Sequence, residues 1–106
     1  EIVDAVGKKA TVFFDGGIMR GTDVVKALSL GADIVGIGRL QGLAAAAGGS
    51  KAIYRMLELL ELEIVTCLRL LGVNDITDLN SSLLTKDYSF GRLDALSAFP
   101  LINEDY

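Results

Sequence analysis

The sequence predicts an α/β fold built on parallel strands, and three features of the first 50 residues support that prediction. Two short runs of β-branched and aromatic residues are continuously apolar rather than alternating, which is typical of parallel strands covered on both faces. A segment with helical periodicity separates the two runs, and glycines bound them. Two strands joined by one helix form a right-handed βαβ unit, so we expect both strands in one parallel sheet.

The first strand is predicted at residues 10–14, which read Ala-Thr-Val-Phe-Phe. The helix after it is predicted to begin near Thr22, whose hydroxyl can cap the first turn. Asp23 adds a negative charge there, which the partial positive charge of a helix N-terminus favours. We expect Gly31 to end the helix in the left-handed conformation.

The second strand is predicted at residues 34–38. An alanine-rich run then predicts a short helix at 41–47, ended by Gly48–Gly49. Ser50 is expected to cap a long helix at 51–71. That helix is apolar over a broad surface, so we expect it to pack against more than one neighbour.

Beyond the long helix the sequence supports only short elements. Either Asn74 or Asp75 can cap a further short helix that ends near Leu79. Residues 1–84 are assigned to the folded part of the chain and 85–106 to a C-terminal tail with weak periodicity.

Composition and charge exclude several classes of protein. With 51% apolar residues and one proline, the chain is not expected to be disordered. Its net charge of −4 and the lack of a basic cluster argue against nucleic-acid binding. No apolar stretch approaches the roughly 18 residues of a membrane span, and no signal peptide is visible. The single cysteine, Cys67, fits a reducing cytoplasm.

Histidine is absent, which removes the usual near-neutral general base and the commonest metal ligand. No metal site is therefore predicted. Because no histidine can activate its thiol, Cys67 is interpreted as a core residue and not as a nucleophile. The acids Glu58, Glu61 and Glu63 are interpreted as one solvated face of the long helix.

The densest group of candidate functional residues directly follows the first strand, where the sequence reads Asp-Gly-Gly-Ile-Met-Arg-Gly. In parallel α/β proteins this end of a strand carries the ligand site. Gly16 and Gly17 would let backbone N–H groups approach a ligand closely. Gly38 and Arg39 end the second strand directly before a helix N-terminus, which suits a phosphate. The pattern alone is equally compatible with turn glycines beside a surface arginine.

Asp15 closes the first strand, and a carboxylate at the end of a buried strand needs hydrogen-bond donors. It could orient a ligand or cap the glycine turn, and the pattern leaves both interpretations open.

Residues 15–39, DGGIMRGTDVVKALSLGADIVGIGR, closely resemble the flavin site of FMN-dependent α-hydroxy acid oxidases and dehydrogenases, the glycolate oxidase, lactate and mandelate dehydrogenase group. EIVDAVG before this run, and GLAAAAGG and LELEIVTCLRLLGV after it, extend the likeness over 1–84. The resemblance implies the last two βα units and C-terminal helices of a (βα)8 TIM barrel. It also implies FMN as cofactor, with Asp15 holding the end of the strand and the phosphate contacted by Gly16, Gly17, Gly38 and Arg39.

The chain departs from that family in three ways, of which Leu40 in place of a frequent proline is minor. Met19 stands where the family usually has an arginine that helps to bind the FMN phosphate. Arg20 is adjacent, but neighbouring side chains of an extended segment point to opposite sides. The family's catalytic histidine, in a His-Gly-Gly-Arg-like segment, would lie upstream of residue 1. No catalytic residue is therefore assigned, and we do not expect this chain alone to oxidise a hydroxy acid.

Two strands cannot close a barrel, so a strand edge and the inner faces of both strands are expected to be exposed. We therefore expect a partner, either a second copy of this chain or a complementary barrel chain. Two alternative functions are a non-catalytic phosphate- or nucleotide-binding module that oligomerises and a purely structural half-barrel.

Overall fold

The computed structural model describes residues 1–85, so the predicted tail lies outside the described residues apart from Thr85. Short 3-10 turns occur at Gly7–Lys9, Ile76–Asp78 and Ser81–Leu83. The helices and strands, in chain order, are α1 (Ile2–Val6), β1 (Phe13–Asp15), α2 (Gly21–Ser29), β2 (Ile34–Gly36) and α3 (Arg39–Leu71).

Strands β1 and β2 form a two-stranded parallel sheet, which confirms the predicted α/β arrangement. The register places Phe13 opposite Ile34 and Asp15 opposite Gly36. Because the two strands run parallel and end at the same level, the loops that follow them begin at one edge of the sheet.

Both strands have three residues and are shorter than predicted, and β1 ends one residue later than predicted, at Asp15. Residues 10–12 fall outside β1, and the ladder begins where β2 begins. Val12 is held by Asp33 instead. The backbone N–H of Val12 donates to Oδ2 of Asp33 at 2.7 Å. The carbonyl of Val12 accepts from the backbone N–H groups of Asp33 and Ile34 at 2.9 and 3.2 Å.

The buried apolar residues lie where α2 packs against α3 and beneath the loop that precedes α2. They are Ile18, Val25, Ala27, Met56 and Leu60. Within residues 1–85, the contact of α2 with α3 is the most extensive contact between elements, and the expectation of more than one neighbour for α3 stays a prediction. Other large side chains of α3 are at least 40% exposed: Leu43, Tyr54, Leu57, Leu59, Leu62 and Leu70.

The start of α2 differs from the prediction and its end agrees with it. Thr22 does not cap the helix, because Arg20 is the N-cap residue. The Asp23 carboxylate accepts from the backbone N–H groups of Met19 and Arg20 at 3.1 and 3.0 Å. Beyond the helix, Gly31 has a φ of +96°, which favours glycine.

Helix α3 begins two residues before the predicted helix and is interrupted at the predicted glycines. Gly48 (φ −170°, ψ 23°) and Gly49 (φ 60°, ψ −143°) leave helical geometry. They divide α3 into an N-terminal arm, residues 39–47, and a C-terminal arm, residues 50–71. No helix within residues 1–85 combines the length and apolar character needed to cross a membrane.

The end of α3 and the start of the turn after it agree with the prediction. Gly72 ends the helix in the left-handed conformation, with φ 70° and ψ 25°. Of the two candidate caps, Asp75 is the one that precedes the turn at Ile76–Asp78. Its Oδ1 accepts from the Thr77 hydroxyl at 2.7 Å and from the Thr77 backbone N–H at 2.8 Å. These bonds stabilise the charged carboxylate and lower the pKa of Asp75.

Candidate functional site

The loops after β1 and β2 line one pocket of about 200 Å³ at the carboxyl edge of the sheet, which we call the strand-end pocket. All five residues predicted to contact the cofactor lie in its wall. The lining residues are Asp15, Gly16, Gly17, Ile18, Met19, Gly36, Gly38 and Arg39.

Glycines keep the backbone of this pocket accessible. Gly16 and Gly17 have φ values of +138° and +70°, which side-chain-bearing residues rarely adopt. A Cβ atom built on Gly16, Gly17 or Gly38 would meet no other atom within 4 Å. The glycines here face open space rather than packed neighbours, so their backbone groups are accessible to a ligand.

The N-terminus of α3 forms the opposite wall of the strand-end pocket. Gly38 is its N-cap residue, and no side chain caps the helix there. The first N–H groups of a helix lack intrahelical acceptors and carry a partial positive charge. Arg39, exposed at the first helical position, adds a full charge beside them. The wall is therefore suited to an anion.

Gly36 is a residue of the pocket that the sequence analysis missed. It lies opposite Asp15 in the sheet register. A Cβ atom on Gly36 would lie 3.2 Å from the Cβ, Cγ and Oδ1 atoms of Asp15. Gly36 thus leaves room for the Asp15 side chain. The strand register brings the two residues together, and neither segment of the sequence carries that signal alone.

Met19 and Arg20 point to different places, as their adjacency predicted. Met19 is half-buried and lines the strand-end pocket, whereas Arg20 pairs with Glu63 of α3. The interpretation of Glu63 as part of a solvated face is wrong. Its carboxylate also accepts from the backbone N–H of Gly21, and its side chain is only 30% exposed.

The remaining candidates give simpler outcomes. Glu58 and Glu61 are exposed, as predicted. Cys67 is half-buried rather than fully in the core, because its part of α3 is only partly covered within residues 1–85. In that part of the chain, no cluster of three or more histidine, cysteine or acidic side chains could hold a metal ion.

A family model described as FMN-dependent dehydrogenase matches residues 1–86. The chain belongs to the FMN-dependent dehydrogenase family. FMN is the cofactor of this family, so the resemblance seen in the sequence and the cofactor that it implied are both confirmed.

Curated relatives agree with this assignment. An L-lactate oxidase of Nostoc sp. is 45% identical over 86 residues, which is 79% of this chain and 23% of that protein. An L-lactate dehydrogenase of Caulobacter vibrioides is 41% identical over 85 residues, or 80% of this chain and 22% of the relative. Human 2-hydroxyacid oxidase 1 is 40% identical over 87 residues, or 82% of this chain and 24% of the relative.

Solved structures show the same likeness. The flavin-binding domain of baker's yeast flavocytochrome b2 superposes with a TM-score of 0.73 at 43% identity, covering 79% of this chain and 22% of that chain. A flavocytochrome b2 variant with benzoylformate superposes with a TM-score of 0.71 at 42% identity, covering 76% of this chain and 21% of that one. Flavocytochrome b2 is a TIM-barrel flavoenzyme, so the described residues form a partial α/β piece of that fold. The chain spans less than a quarter of the length of the curated relatives named above.

Proposed function

We propose that the strand-end pocket binds the phosphate of FMN as part of a flavin-dependent oxidoreductase that acts on 2-hydroxy acids. The supporting observation is the convergence of the Gly16–Gly17 loop, the short loop that contains Gly38 and one helix N-terminus on a single pocket beside Arg39. Membership of a family that uses FMN supports the choice of ligand. The names of the Nostoc and human relatives support the class of substrate.

Each part of the pocket has a distinct task in this proposal. Backbone N–H groups around Gly16 and Gly17 donate to phosphate oxygens at close range. The N-terminus of α3 supplies partial positive charge, and the guanidinium of Arg39 supplies a full charge with paired donors. Asp15, at the end of β1, orients the adjoining part of the cofactor.

The chemistry that FMN supplies when bound is acceptance of a hydride equivalent from the α-carbon of the 2-hydroxy acid, which becomes a 2-oxo acid. A base must take the hydroxyl proton in that reaction. With no histidine among its 106 residues, this chain is proposed to bind and orient the cofactor but not to complete the catalytic site alone.

The proposal is tested by titrating the full chain with FMN and with riboflavin, which lacks the phosphate, while following flavin fluorescence. We expect FMN to bind more tightly than riboflavin and the Arg39→Ala variant to lose about tenfold in FMN affinity. Arg69→Ala is the matched control, because Arg69 is an exposed arginine that does not line the pocket.

Equal binding of the two flavins, or an equal loss in both arginine variants, would contradict the proposal. Binding of ADP or inorganic phosphate in preference to FMN would instead favour a non-catalytic phosphate- or nucleotide-binding module.

A second candidate function is that of a structural half-barrel that completes its sheet with a second copy or a complementary chain. The observation that favours it is the exposure of Phe13 and Ile34, which share the face of the sheet opposite α2 and are 68% and 44% exposed.

A further inference from the structure

We propose that Glu63 is a positioning residue that fixes the loop of residues 16–20 against α3 and thereby sets the shape of the strand-end pocket. The ligand in this inference rests on the proposed function, whereas the loop geometry does not. Glu63 lies 43 residues after Arg20, on the helix whose N-terminus forms the other wall.

One carboxylate makes three contacts at the junction of the loop and α2. Its Oε1 accepts from Nε of Arg20 at 2.8 Å and forms an ion pair with Nη2 of the same guanidinium, also at 2.8 Å. Its Oε2 accepts from the backbone N–H of Gly21 at 2.7 Å. That N–H opens α2 and has no partner within the helix, so Glu63 caps α2 from a different helix.

Steric contact at Gly21 restricts the same junction. A Cβ atom on Gly21 would lie 2.5 Å from Cβ of Glu63, 2.7 Å from the backbone N of Ile64 and 2.8 Å from the carbonyl O of Leu60. Gly21 is buried, and the backbone of α2 therefore begins in direct contact with α3. The hydrogen bonds of Glu63 and the close contact of the two backbones therefore both fix the start of α2 against α3.

Met19 connects this junction to the strand-end pocket. Met19 lines the strand-end pocket and also lines an apolar groove of about 410 Å³ together with Leu40, Met56 and Glu63. The groove joins the loop, the first turn of α3 and the Glu63 carboxylate. Arg20, held by Glu63, is not among the residues that line the strand-end pocket. The carboxylate thus keeps this guanidinium at the interface of α2 and α3.

The direct test is amide hydrogen exchange of the full chain without flavin, comparing peptides over residues 16–21 with peptides over α2 and α3. We expect Glu63→Ala to accelerate exchange over 16–21 about tenfold and to leave the rest of the helices unchanged. Glu58→Gln is the matched control, because it removes an exposed ion pair with Arg55 at 2.9 Å on the same helix.

A conservative variant keeps the test available if Glu63→Ala does not fold. Glu63→Gln retains an acceptor for the Gly21 N–H but loses the charge that holds Arg20. The amides of Met19 and Arg20 are also bonded to the Asp23 carboxylate. Glu63→Gln should therefore accelerate exchange over residues 16–20 less than Glu63→Ala does, while Gly21 stays protected. Unchanged exchange over 16–21 in either folded variant, or equal acceleration throughout α2 and α3, would overturn the inference.

Flavin titration of the same variants separates this inference from the proposed function. We expect Glu63→Ala to raise the Kd for FMN about fivefold and to change riboflavin binding much less. If the wild type does not bind FMN but exchange over 16–21 is faster in Glu63→Ala than in the wild type, the proposed function is overturned and the positioning role stands. If the wild type binds FMN more tightly than riboflavin and Glu63→Ala binds FMN with unaltered affinity, the positioning role is overturned instead.

Discussion

Met19 lines the strand-end pocket, and its uncharged side chain adds no positive charge to the pocket. Among the residues of 1–85 that line it, Arg39 is the one with a full positive charge. Arg20 does not compensate, because Glu63 holds its guanidinium at 2.8 Å. A phosphate carries up to two negative charges, so each added donor should strengthen its binding.

We predict that Met19→Arg raises the affinity for FMN about tenfold at low salt, because a guanidinium at this half-buried position can pair with the phosphate. Riboflavin binding should not change. The measurement is the flavin titration described above, with Leu70→Arg as control, since Leu70 is 84% exposed and far from the pocket lining. An equal gain from Leu70→Arg would mean that the added charge acts non-specifically.

At the scale of elements, the ends of the helices could be predicted from single residues. Gly31 and Gly72 end α2 and α3 with positive φ, and Gly48–Gly49 interrupts α3 as expected. Each of these positions expresses a local backbone preference that the residue type alone carries.

The contacts between elements could not be predicted in the same way. Glu63 looked like a solvated acid, because nothing in the helical periodicity distinguishes an acid that faces solvent from one that reaches another helix. The strand limits depend on the register of Phe13 with Ile34, which is a property of the pair and of neither segment alone. The candidate pocket could be predicted, because both of its loops directly follow predicted strands.

Replacing two glycines of α3 by alanine should change the free energy of unfolding in opposite directions. Gly49 has φ 60° and ψ −143°, so we predict that Gly49→Ala destabilises the fold by about 2 kcal/mol. Gly42 lies within the helical arm, and a Cβ there meets no atom within 4 Å. Gly42→Ala should therefore stabilise the chain by about 0.5–1 kcal/mol. Urea unfolding followed by circular dichroism measures both. An unchanged or more stable Gly49→Ala variant would contradict the assigned break, and a less stable Gly42→Ala variant would contradict the helical, unobstructed position of Gly42.

At the scale of the whole molecule, several large apolar side chains of residues 1–85 are exposed. Phe13 and Ile34 lie exposed on one face of the sheet. On the other side, Val12, Phe14 and Leu30 line an apolar groove of about 280 Å³. Two strands cannot cover these surfaces by closing on themselves, which agrees with the expectation that the inner face of the sheet is exposed.

We predict that the isolated chain self-associates through this face and that Phe13→Glu shifts it toward monomer, because a charge there opposes burial. Sedimentation velocity at several concentrations measures the effect. Tyr54→Glu is the control, since Tyr54 is also aromatic and 68% exposed but lies on α3. A wild-type chain that sediments as a monomer and unfolds cooperatively would exclude self-association.

The placement of Glu63 also affects how this site can be exchanged between proteins. The hydrogen bonds that hold the two strands and the loop of the pocket fall between Val12 and Glu63. That stretch therefore carries the strands, both loops and the carboxylate that joins them. Recombination with breakpoints outside it would transfer the pocket between related barrels as one inherited block, whereas a breakpoint between Arg20 and Glu63 would separate the loop from its anchor.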